Sequence, residues 1–365
     1  MKSLTQSAIE HTALGAAVLG TGGGGDPHIG KLMAMHAIEK YGPVNVMPLE
    51  ELTDDALIVS VSMIGSPSVM AEKIPSADGA RKALETIERA FDKEVTAVMP
   101  IEIGGVNSLI PILVAAEKRI PVLDADAMGR AFPEAQMVTF HLDGRHPNII
   151  AMADERGNTV QFYPIDGKWS ERLARSITIQ MGGSAAMCDY ALSGKAVKES
   201  AIPGTLSLAA EIGQILHNSD ANKSVSIDYM LAKLRGYKLM TGKITFIERR
   251  IDAGFTKGNA VVEGIDDCLG RTITLYFQNE QLLAMENNDP IAITPDLISV
   301  LDKETGYPIT TESLKYGERI IVTAFPCNEK WRTAKGIETA GPKYFGYDVT
   351  YTPIEVLQKD GVDDK

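Results

Sequence analysis

The chain has 365 residues, a formal net charge of −12, 44% hydrophobic residues and 23% charged residues. This length and composition are typical of an ordinary globular protein with enough core for two domains, and the acidic balance argues against a nucleic-acid partner, which needs a basic surface. Because no apolar run reaches about 18 residues and the first fifteen residues lack the apolar core of a signal peptide, we expect a cytoplasmic protein without a membrane partner.

A glycine-rich loop at residues 20–25 is the first feature that suggests a binding site. It follows a helix-like pattern at residues 7–18 and ends in four consecutive glycines directly before an Asp-Pro pair. Glycine loses more backbone freedom on folding than other residues, so such a run indicates backbone that closely approaches a ligand, although a flexible turn gives the same pattern. We predict that the loop contacts substrate through Thr21, Gly22, Gly23, Gly24, Gly25 and Asp26. A loop brace explains Asp26 equally well, since aspartate before proline favours a turn.

Two nucleotide-binding motifs match the same loop only formally. Residues 25–31 resemble a P-loop, but Leu32 stands where a Ser or Thr should reach magnesium, and Asp26 would place negative charge beside the phosphates. Residues 20–25 match the dinucleotide fingerprint, which needs a preceding strand, whereas the preceding residues favour a helix. We therefore expect no nucleotide cofactor.

Apolar strand-like runs alternate with helical patterns in the first half of the chain. Strands are predicted at residues 56–63, 96–99 and 120–123, with helices at residues 79–92 and 109–115 between them. Short loops in strand–helix–strand order indicate a parallel sheet covered by helices. In open sheets of this kind, ligands bind beyond the carboxyl ends of the strands, so the loops after these strands are candidate parts of the site.

Polar residues follow the first two of these strands. The loop after the second strand carries Glu102 and Asn107 and opens a helix, where backbone N–H groups can hold a developing oxyanion. We predict that both side chains orient the substrate. The loop at residues 65–67, after the first strand, belongs to the same candidate site.

An acidic cluster follows the third strand. Asp124 and Asp126 are two residues apart, which points both carboxylates to the same side if the strand continues. Like charges held close together raise at least one pKa and can create a general base or acid. The alternatives are a divalent metal site and a structural ion pair with Arg130, which is also a candidate substrate-binding residue.

The second half of the chain changes character twice. Strand-like sequence at residues 138–163 is followed by helical patterns at residues 168–235, and then by alternating, β-rich sequence. We predict an α/β N-terminal domain at residues 1–165, with a parallel or mixed sheet and helices, that carries the glycine-rich loop and the acidic cluster. A second, β-rich α+β domain, helical and then β-rich, is predicted at residues 166–365.

Cys188 lies in a glycine-rich segment that the pattern favours as the start of a helix. A thiolate at such a position is a candidate catalytic nucleophile, although a free cysteine is more often a small buried hydrophobe. The three cysteines form no CxxC pair, and no two histidines have i,i+4 spacing. The metal signal is therefore weak, and the use of a divalent metal stays open.

Three separated motifs resemble one known family. They are LGTGGGGDPHIG at residues 19–30, DADAMGRAFPE at residues 124–134 and GPKYFGYD at residues 341–348. Together they resemble the family once called DUF917, now named for S-methyl thiohydantoin desulfurase. The resemblance implies a hydrolase in which water replaces the methylthio group of a small hydantoin-like ring, giving a hydantoin and methanethiol.

Roles within that reaction are assigned from residue chemistry. Asp124 or Asp126 is the candidate base or metal ligand, the glycine-rich loop holds the ring, and Cys188 is the alternative nucleophile. Two other functions stay open: a non-catalytic small-molecule-binding or regulatory protein, and a metal-dependent cyclic amidase on a hydantoin-like substrate. A homo-oligomer is expected only because many soluble proteins form one.

Overall fold

The computed structural model describes residues 1–65, 69, 73, 77–217, 223–252 and 254–360. Residues 66 and 67 of the predicted loop after the first strand lie outside these residues. The helices are α1 (Gln6–Leu19), α2 (Pro27–Tyr41), α3 (Ala77–Phe91), α4 (Ile110–Lys118), α5 (Thr139–Leu142), α6 (Gly167–Gln180), α7 (Gly194–Ser200), α8 (Thr205–His217), α9 (Lys223–Leu234), α10 (Ala334–Ala340) and α11 (Ile354–Asp360). Among these described helices, none combines the length and apolarity that a membrane crossing requires.

The strands divide between two main sheets and one small ladder. They are β1 (Ser3–Leu4), β2 (Val44–Met47), β3 (Leu57–Gly65), β4 (Ala97–Met99), β5 (Val122–Leu123), β6 (Ala125–Asp126), β7 (Ile150–Ala153), β8 (Thr159–Phe162), β9 (Ser184–Ser193), β10 (Ile202–Pro203), β11 (Tyr237–Asp252), β12 (Phe255–Gly264), β13 (Thr272–Gln278), β14 (Glu280–Glu286), β15 (Asp289–Ile293), β16 (Leu297–Asp302) and β17 (Arg319–Phe325).

The first sheet is mixed, with the strand order β1-β2-β5-β4-β3-β9-β7-β8. Strands β2, β5, β4 and β3 run parallel, whereas the pairs β1–β2, β3–β9, β9–β7 and β7–β8 are antiparallel. Strand β3 is buried along almost its whole length, and both α4 and α6 pack against it, as expected for a strand covered by helices. The predicted N-terminal α/β fold with a mixed sheet and helices is confirmed.

The second sheet is antiparallel, with the order β15-β14-β13-β12-β11-β17-β16. Its strands alternate between buried and partly exposed side chains, most regularly in β13, because one face packs on a core of its own while the other meets solvent. The short helix α11 packs against β15 at one edge. This arrangement confirms the predicted β-rich second domain.

Two local predictions are wrong. The helical pattern predicted at residues 168–235 fails for residues 184–193, which form β9 between β3 and β7. This segment has three alanines among its ten residues and is buried along most of its length. Periodicity alone does not separate such a run from a buried helix. In the segment predicted as strands at residues 138–163, α5 forms first and only β7 and β8 are strands.

Strand β9 also joins the first sheet from beyond residue 165. Helix α8, which follows it, packs closely along α1 in the N-terminal part of the chain. Segments on both sides of the predicted boundary therefore build the first sheet and its helices. The division at residue 165 stays a prediction.

Candidate active site

A narrow cleft is lined by residues from both sheets. The first sheet contributes the end of β3, part of β9 and the loop after β4, and the loop after β6 of the small ladder adds further residues. The second sheet contributes Asn279 and Glu280 at the junction of β13 and β14. The cavity volume is about 80 Å³, which is space for a few water molecules or one small ring. The polar and charged side chains along it include Ser62, Glu102, Asn107, Glu134, Glu171, Arg175, Asp189 and Glu280.

The glycine-rich loop borders this cleft through Gly24 and Gly25. Both residues have left-handed backbone, with φ of 73° and 79°, a conformation that glycine adopts without steric cost. A Cβ placed on Gly23 would overlap the carboxyl group of Glu280, and the Gly24 N–H donates to Glu280 Oε1 at 3.3 Å. The close approach that the glycine run predicts is therefore made to Glu280.

Thr21, within the glycine-rich loop, and Arg130 are both fully buried. The guanidinium donates to Thr21 Oγ1 at 3.0 Å, to the Gln281 carbonyl at 3.4 Å and to the carbonyls of Pro295, Asp296 and Ala131. A guanidinium has five N–H donors, and these five acceptors use all of them. Arg130 therefore joins the loop to the second sheet and leaves no donor for a substrate.

Gly22 and Asp26 lie outside the cleft. The Gly22 carbonyl accepts from the backbone N–H of Thr311 at 2.9 Å, which fastens the loop to the second domain. Asp26 is exposed and caps α2, where its Oδ1 accepts from the His28 N–H at 2.8 Å. This is the loop-bracing role that an aspartate before proline favours.

Asp124 lies outside the cleft because the chain leaves the first sheet directly after β5. Its Oδ1 accepts from the Ser207 N–H at 2.9 Å, and its Oδ2 accepts from the Ser207 hydroxyl, so the carboxylate satisfies the first turn of α8. Strand β6 then pairs with β10 in the small separate ladder. The continuous strand that would place Asp124 and Asp126 side by side does not form.

Asp126 is fully buried beneath the loops that border the cleft. Its Oδ2 accepts three backbone N–H groups, from Ile103 at 2.9 Å, Met128 at 3.0 Å and Gly129 at 2.7 Å. Burial raises the pKa of Asp126 to about 7, while these donors oppose the rise. The carboxyl group thus fixes two loops that carry cleft residues and does not itself line the cavity.

Cys188 occupies the middle of β9, paired with Val61 on one side and Ala151 on the other. Alternation along a strand sends its neighbours Met187 and Asp189 to the cleft and Cys188 to the opposite face. The thiol is fully buried, and burial raises its pKa well above the ordinary value. The structure therefore places this side chain in the core, as a thiol rather than a thiolate.

Glu102 and Asn107 do meet at the cleft. The Met63 N–H donates to Asn107 Oδ1 at 2.8 Å, which fixes the amide so that its Nδ2 donates to Glu102 Oε1 at 2.7 Å. Burial raises the pKa of Glu102 to about 8, opposed by this hydrogen bond. Because Oε1 is occupied as an acceptor, Oε2 is the oxygen left for a proton on Glu102.

Asp189 is an acidic side chain of the cleft that the sequence reasoning missed. Its Oδ1 accepts from the Ser60 hydroxyl, and burial raises its pKa to about 7, opposed by that bond. The register of β9 against β3 shifts beside it, and the next residue, Tyr190, has a φ of 43°. Bulges and bulky residues with left-handed backbone concentrate near functional sites. The sequence analysis misses Asp189 because it predicts a helix over this segment.

Glu280 is the second acidic side chain that the sequence reasoning missed. It stands at the start of β14, is 2% exposed, and has a pKa that burial and the neighbouring Glu102 raise well above the ordinary value, while the Arg130 guanidinium opposes the rise. The alternating pattern of a β-rich domain does not distinguish Glu280 from the other polar residues of its strands. It brings the second domain into the cleft.

Three buried polar atoms along the cleft have no hydrogen-bond partner among the described residues: Ser62 Oγ, Glu102 Oε2 and Glu280 Oε2. Buried polar groups are nearly always paired, so three such atoms along one cleft make it the candidate site. Within the described part of the chain, no group of three or more His, Cys, Asp or Glu side chains is arranged to hold a metal ion.

Comparisons with known proteins agree with this architecture. A family model described as "S-Me-THD-like, N-terminal domain" matches residues 7–163, and one described as "S-Me-THD-like, C-terminal domain" matches residues 165–354. No curated protein matches the chain. A protein of Chromobacterium violaceum, solved by X-ray crystallography, is similar over 97% of this chain and 100% of its own, with a TM-score of 0.80 and 23% sequence identity. At that identity, the likeness shows the fold.

Proposed function

This chain belongs to the S-Me-THD-like family, and from that membership we propose that it is a hydrolase that replaces the methylthio group of an S-methyl thiohydantoin-like ring with water. The observation that carries the proposal is the set of unpartnered buried atoms, Ser62 Oγ, Glu102 Oε2 and Glu280 Oε2, around one small cavity. Carboxyl groups with pKa values near neutrality are suited to move protons at pH 7.

Glu102 is the proposed general acid. With a pKa of about 8, it is mainly protonated at neutral pH, and the Asn107 hydrogen bond to Oε1 favours a proton on Oε2. Donation of that proton to the ring nitrogen makes the carbon between nitrogen and sulfur more electrophilic. The ionised Glu102 then accepts a proton later in the cycle.

Asp189 is the proposed general base. Its pKa of about 7 leaves a substantial ionised fraction at neutral pH, and Ser60 holds Oδ1 from behind. Asp189 removes a proton from water as the water oxygen forms a bond to the ring carbon. The carbon–sulfur bond then breaks, methanethiolate takes the proton from Asp189, and the new hydroxyl returns a proton to Glu102. The products are a hydantoin and methanethiol.

Glu280 and Ser62 complete the proposed site. The pKa of Glu280 is raised well above its ordinary value, so it provides a neutral carboxyl group that donates a hydrogen bond to an acceptor atom of the ring. The buried Ser62 hydroxyl, on β3, is free to hold the attacking water. Preorganised donors in a dry cavity stabilise a transition state more than they do in water.

The test is release of methanethiol from S-methyl thiohydantoin by the purified full chain, measured with a thiol reagent in the presence and absence of chelator. The proposal expects release with multiple turnovers in both conditions. Release only in the absence of chelator would indicate that the reaction depends on a bound metal. Binding of the ring without any release would favour the non-catalytic alternative and contradict the proposal.

A further inference from the structure

The motif GPKYFGYD at residues 341–348 folds into a single helical turn. The turn spans Pro342–Phe345 and ends at Gly346, whose φ of 85° is left-handed. A Cβ on Gly341 would lie 2.4 Å from the Ile337 carbonyl oxygen, so a glycine is needed on each side of the turn. The turn carries Tyr344, whose half-buried side chain reaches the motif at residues 124–134.

Tyr344 and Gln136 hold one oxygen of Glu134, which lines the cleft. The Tyr344 hydroxyl lies 2.7 Å from Glu134 Oε2, and Gln136 Nε2 donates to the same Oε2 and to the Tyr344 hydroxyl oxygen. Because an amide nitrogen only donates, the tyrosine oxygen accepts from Gln136 and its own proton goes to Glu134. Burial and this carboxyl group raise the pKa of Tyr344 above its ordinary value, so the hydroxyl keeps the proton that it donates.

The backbone beside Glu134 is fixed as well. The Ala135 N–H donates to Glu171 Oε2 at 3.0 Å, and Glu171 Oε1 pairs with Arg175 Nη2 at 2.6 Å on the same helix, α6. Glu171 and Arg175 also line the cleft. The wall that carries Glu134 is therefore tied to α6 through its backbone and to the turn at residues 342–345 through its side chain.

Glu134 differs from the acids that the proposed reaction uses. Glu102, Asp189 and Glu280 are nearly fully buried, whereas Glu134 is partly exposed at the cleft. Two donors occupy its Oε2, and Oε1 accepts no hydrogen bond within the described part of the chain. A carboxylate held by donors on one oxygen offers the other as an acceptor. Glu134 Oε1 is thus a preorganised acceptor for a molecule in the cleft.

We propose that Glu134 binds the substrate by accepting a hydrogen bond from a ring N–H, and that Tyr344 is the positioning residue that holds Glu134 for this contact. The inference rests on the proposed function, because the 2-methylthio ring carries one N–H besides the imine nitrogen that Glu102 protonates. It gives two of the three sequence motifs a shared role, since each supplies one member of the pair.

Glu134→Gln tests the acceptor. The amide oxygen of the variant can still accept from Tyr344 and Gln136, so the amide nitrogen faces the ring N–H, donor against donor. We expect two quantities to fall at least about tenfold, as for a donor left unpaired in a buried site. They are the affinity for hydantoin, the product ring, measured by isothermal titration calorimetry, and kcat/KM for methanethiol release.

Tyr344→Phe tests the positioning, because it removes only the hydroxyl that holds Glu134. We expect both quantities to fall by about threefold to tenfold, as for the loss of one hydrogen bond. Tyr347→Phe is the matched control, since it removes a hydroxyl from the same motif. The Tyr347 ring packs against Tyr276 and lines a different cavity, so both quantities should stay within about twofold of the unaltered chain.

The double variant separates positioning from a general structural role. If Tyr344 acts through Glu134, Tyr344→Phe causes no further loss once residue 134 is glutamine, whereas independent effects multiply. Multiplying losses, or full binding and activity in Glu134→Gln, would overturn the inference. Urea unfolding checks that each variant folds. If Glu134→Gln does not fold, Glu134→Asp replaces it with the same expected losses, because the shorter carboxylate cannot meet both Tyr344 and the ring.

The two proposals fail in different ways. Hydantoin binding that shows these effects, without methanethiol release, would keep the role of Glu134 and Tyr344 in binding and remove the hydrolase. Methanethiol release that neither substitution changes would keep the hydrolase and remove the inference. Absence of both binding and release would overturn both.

Discussion

Three acidic side chains at the cleft, Glu102, Asp189 and Glu280, have lost nearly all contact with water. A buried carboxyl that is not fully hydrogen-bonded favours its neutral form, which is why each has a raised pKa. The burial that suits them to the proposed acid and base roles also makes the protein sensitive to pH. Two consequences follow at single residues.

The first is a fall in stability as pH rises. Glu102 has a pKa of about 8 in the folded protein, against an ordinary value of 4.5, so the unfolded chain loses its proton first. The free energy of unfolding therefore decreases between about pH 4.5 and 8, by up to about 1.4 kcal/mol per pH unit for each such group. Urea unfolding at pH 5, 6.5 and 8 measures the slope.

Glu102→Gln should make that slope shallower, because the amide cannot ionise. The exposed Glu263→Gln should keep the slope of the unaltered chain. If both variants show the same slope, the pKa of Glu102 does not differ between the folded and unfolded states as its burial predicts.

The second consequence concerns Cys188. Because its thiol lies in the core, on the face of β9 away from the cleft, Cys188→Ala should lower stability by about 1–2 kcal/mol through a small cavity and leave methanethiol release within about twofold. Thermal unfolding and the thiol assay measure the two effects. Loss of activity in a well-folded variant would restore the cysteine as a nucleophile.

At the scale of elements, the loop between α1 and α2 joins the two domains. Gly23 packs against Glu280, and Gly22 bonds to Thr311, so the loop positions an acid of the second domain beside acids of the first. Its sequence predicts a close backbone approach. It does not predict the partner, because that partner is nearly 260 residues away in the chain and follows no local pattern.

Gly23→Ala tests this positioning. Gly23 is outside the left-handed region, so the cost of the new methyl group comes from its overlap with the Glu280 carboxyl. We expect kcat/KM to fall at least tenfold, with a stability loss of about 1–3 kcal/mol. Steady-state kinetics and urea unfolding measure the two.

Gly270→Ala is the matched control. Its φ is 85° and nothing lies within 4 Å of its Cβ position, so it should cost about 1–2 kcal/mol of backbone strain without changing kcat/KM. Equal kinetic losses in the two variants would show that general destabilisation, not displacement of Glu280, reduces activity.

At the scale of the whole molecule, the sequence predicts the two-part α/β and β-rich architecture because hydrophobic periodicity is a strong local signal. It also locates Glu102 and Asn107 beyond a parallel strand. Asp189 is missed because an alanine-rich strand has the composition of a helix, and Asp124 is misleading because its strand ends one residue earlier. The pairing of strands that are distant in the chain decides where Asp189 and Asp124 lie. A single sequence does not show which distant strands pair.

In the proposed function, the acids of the cleft, and not the acidic cluster of the sequence, carry out the reaction. The measurement is kcat/KM for methanethiol release by Asp189→Asn and Asp124→Asn, with folding of both checked by circular dichroism. We predict a loss of at least about 100-fold for Asp189→Asn, the lower range for a general base, and less than threefold for Asp124→Asn, which only satisfies the start of α8. Full activity in Asp189→Asn together with an inactive, folded Asp124→Asn would contradict the account.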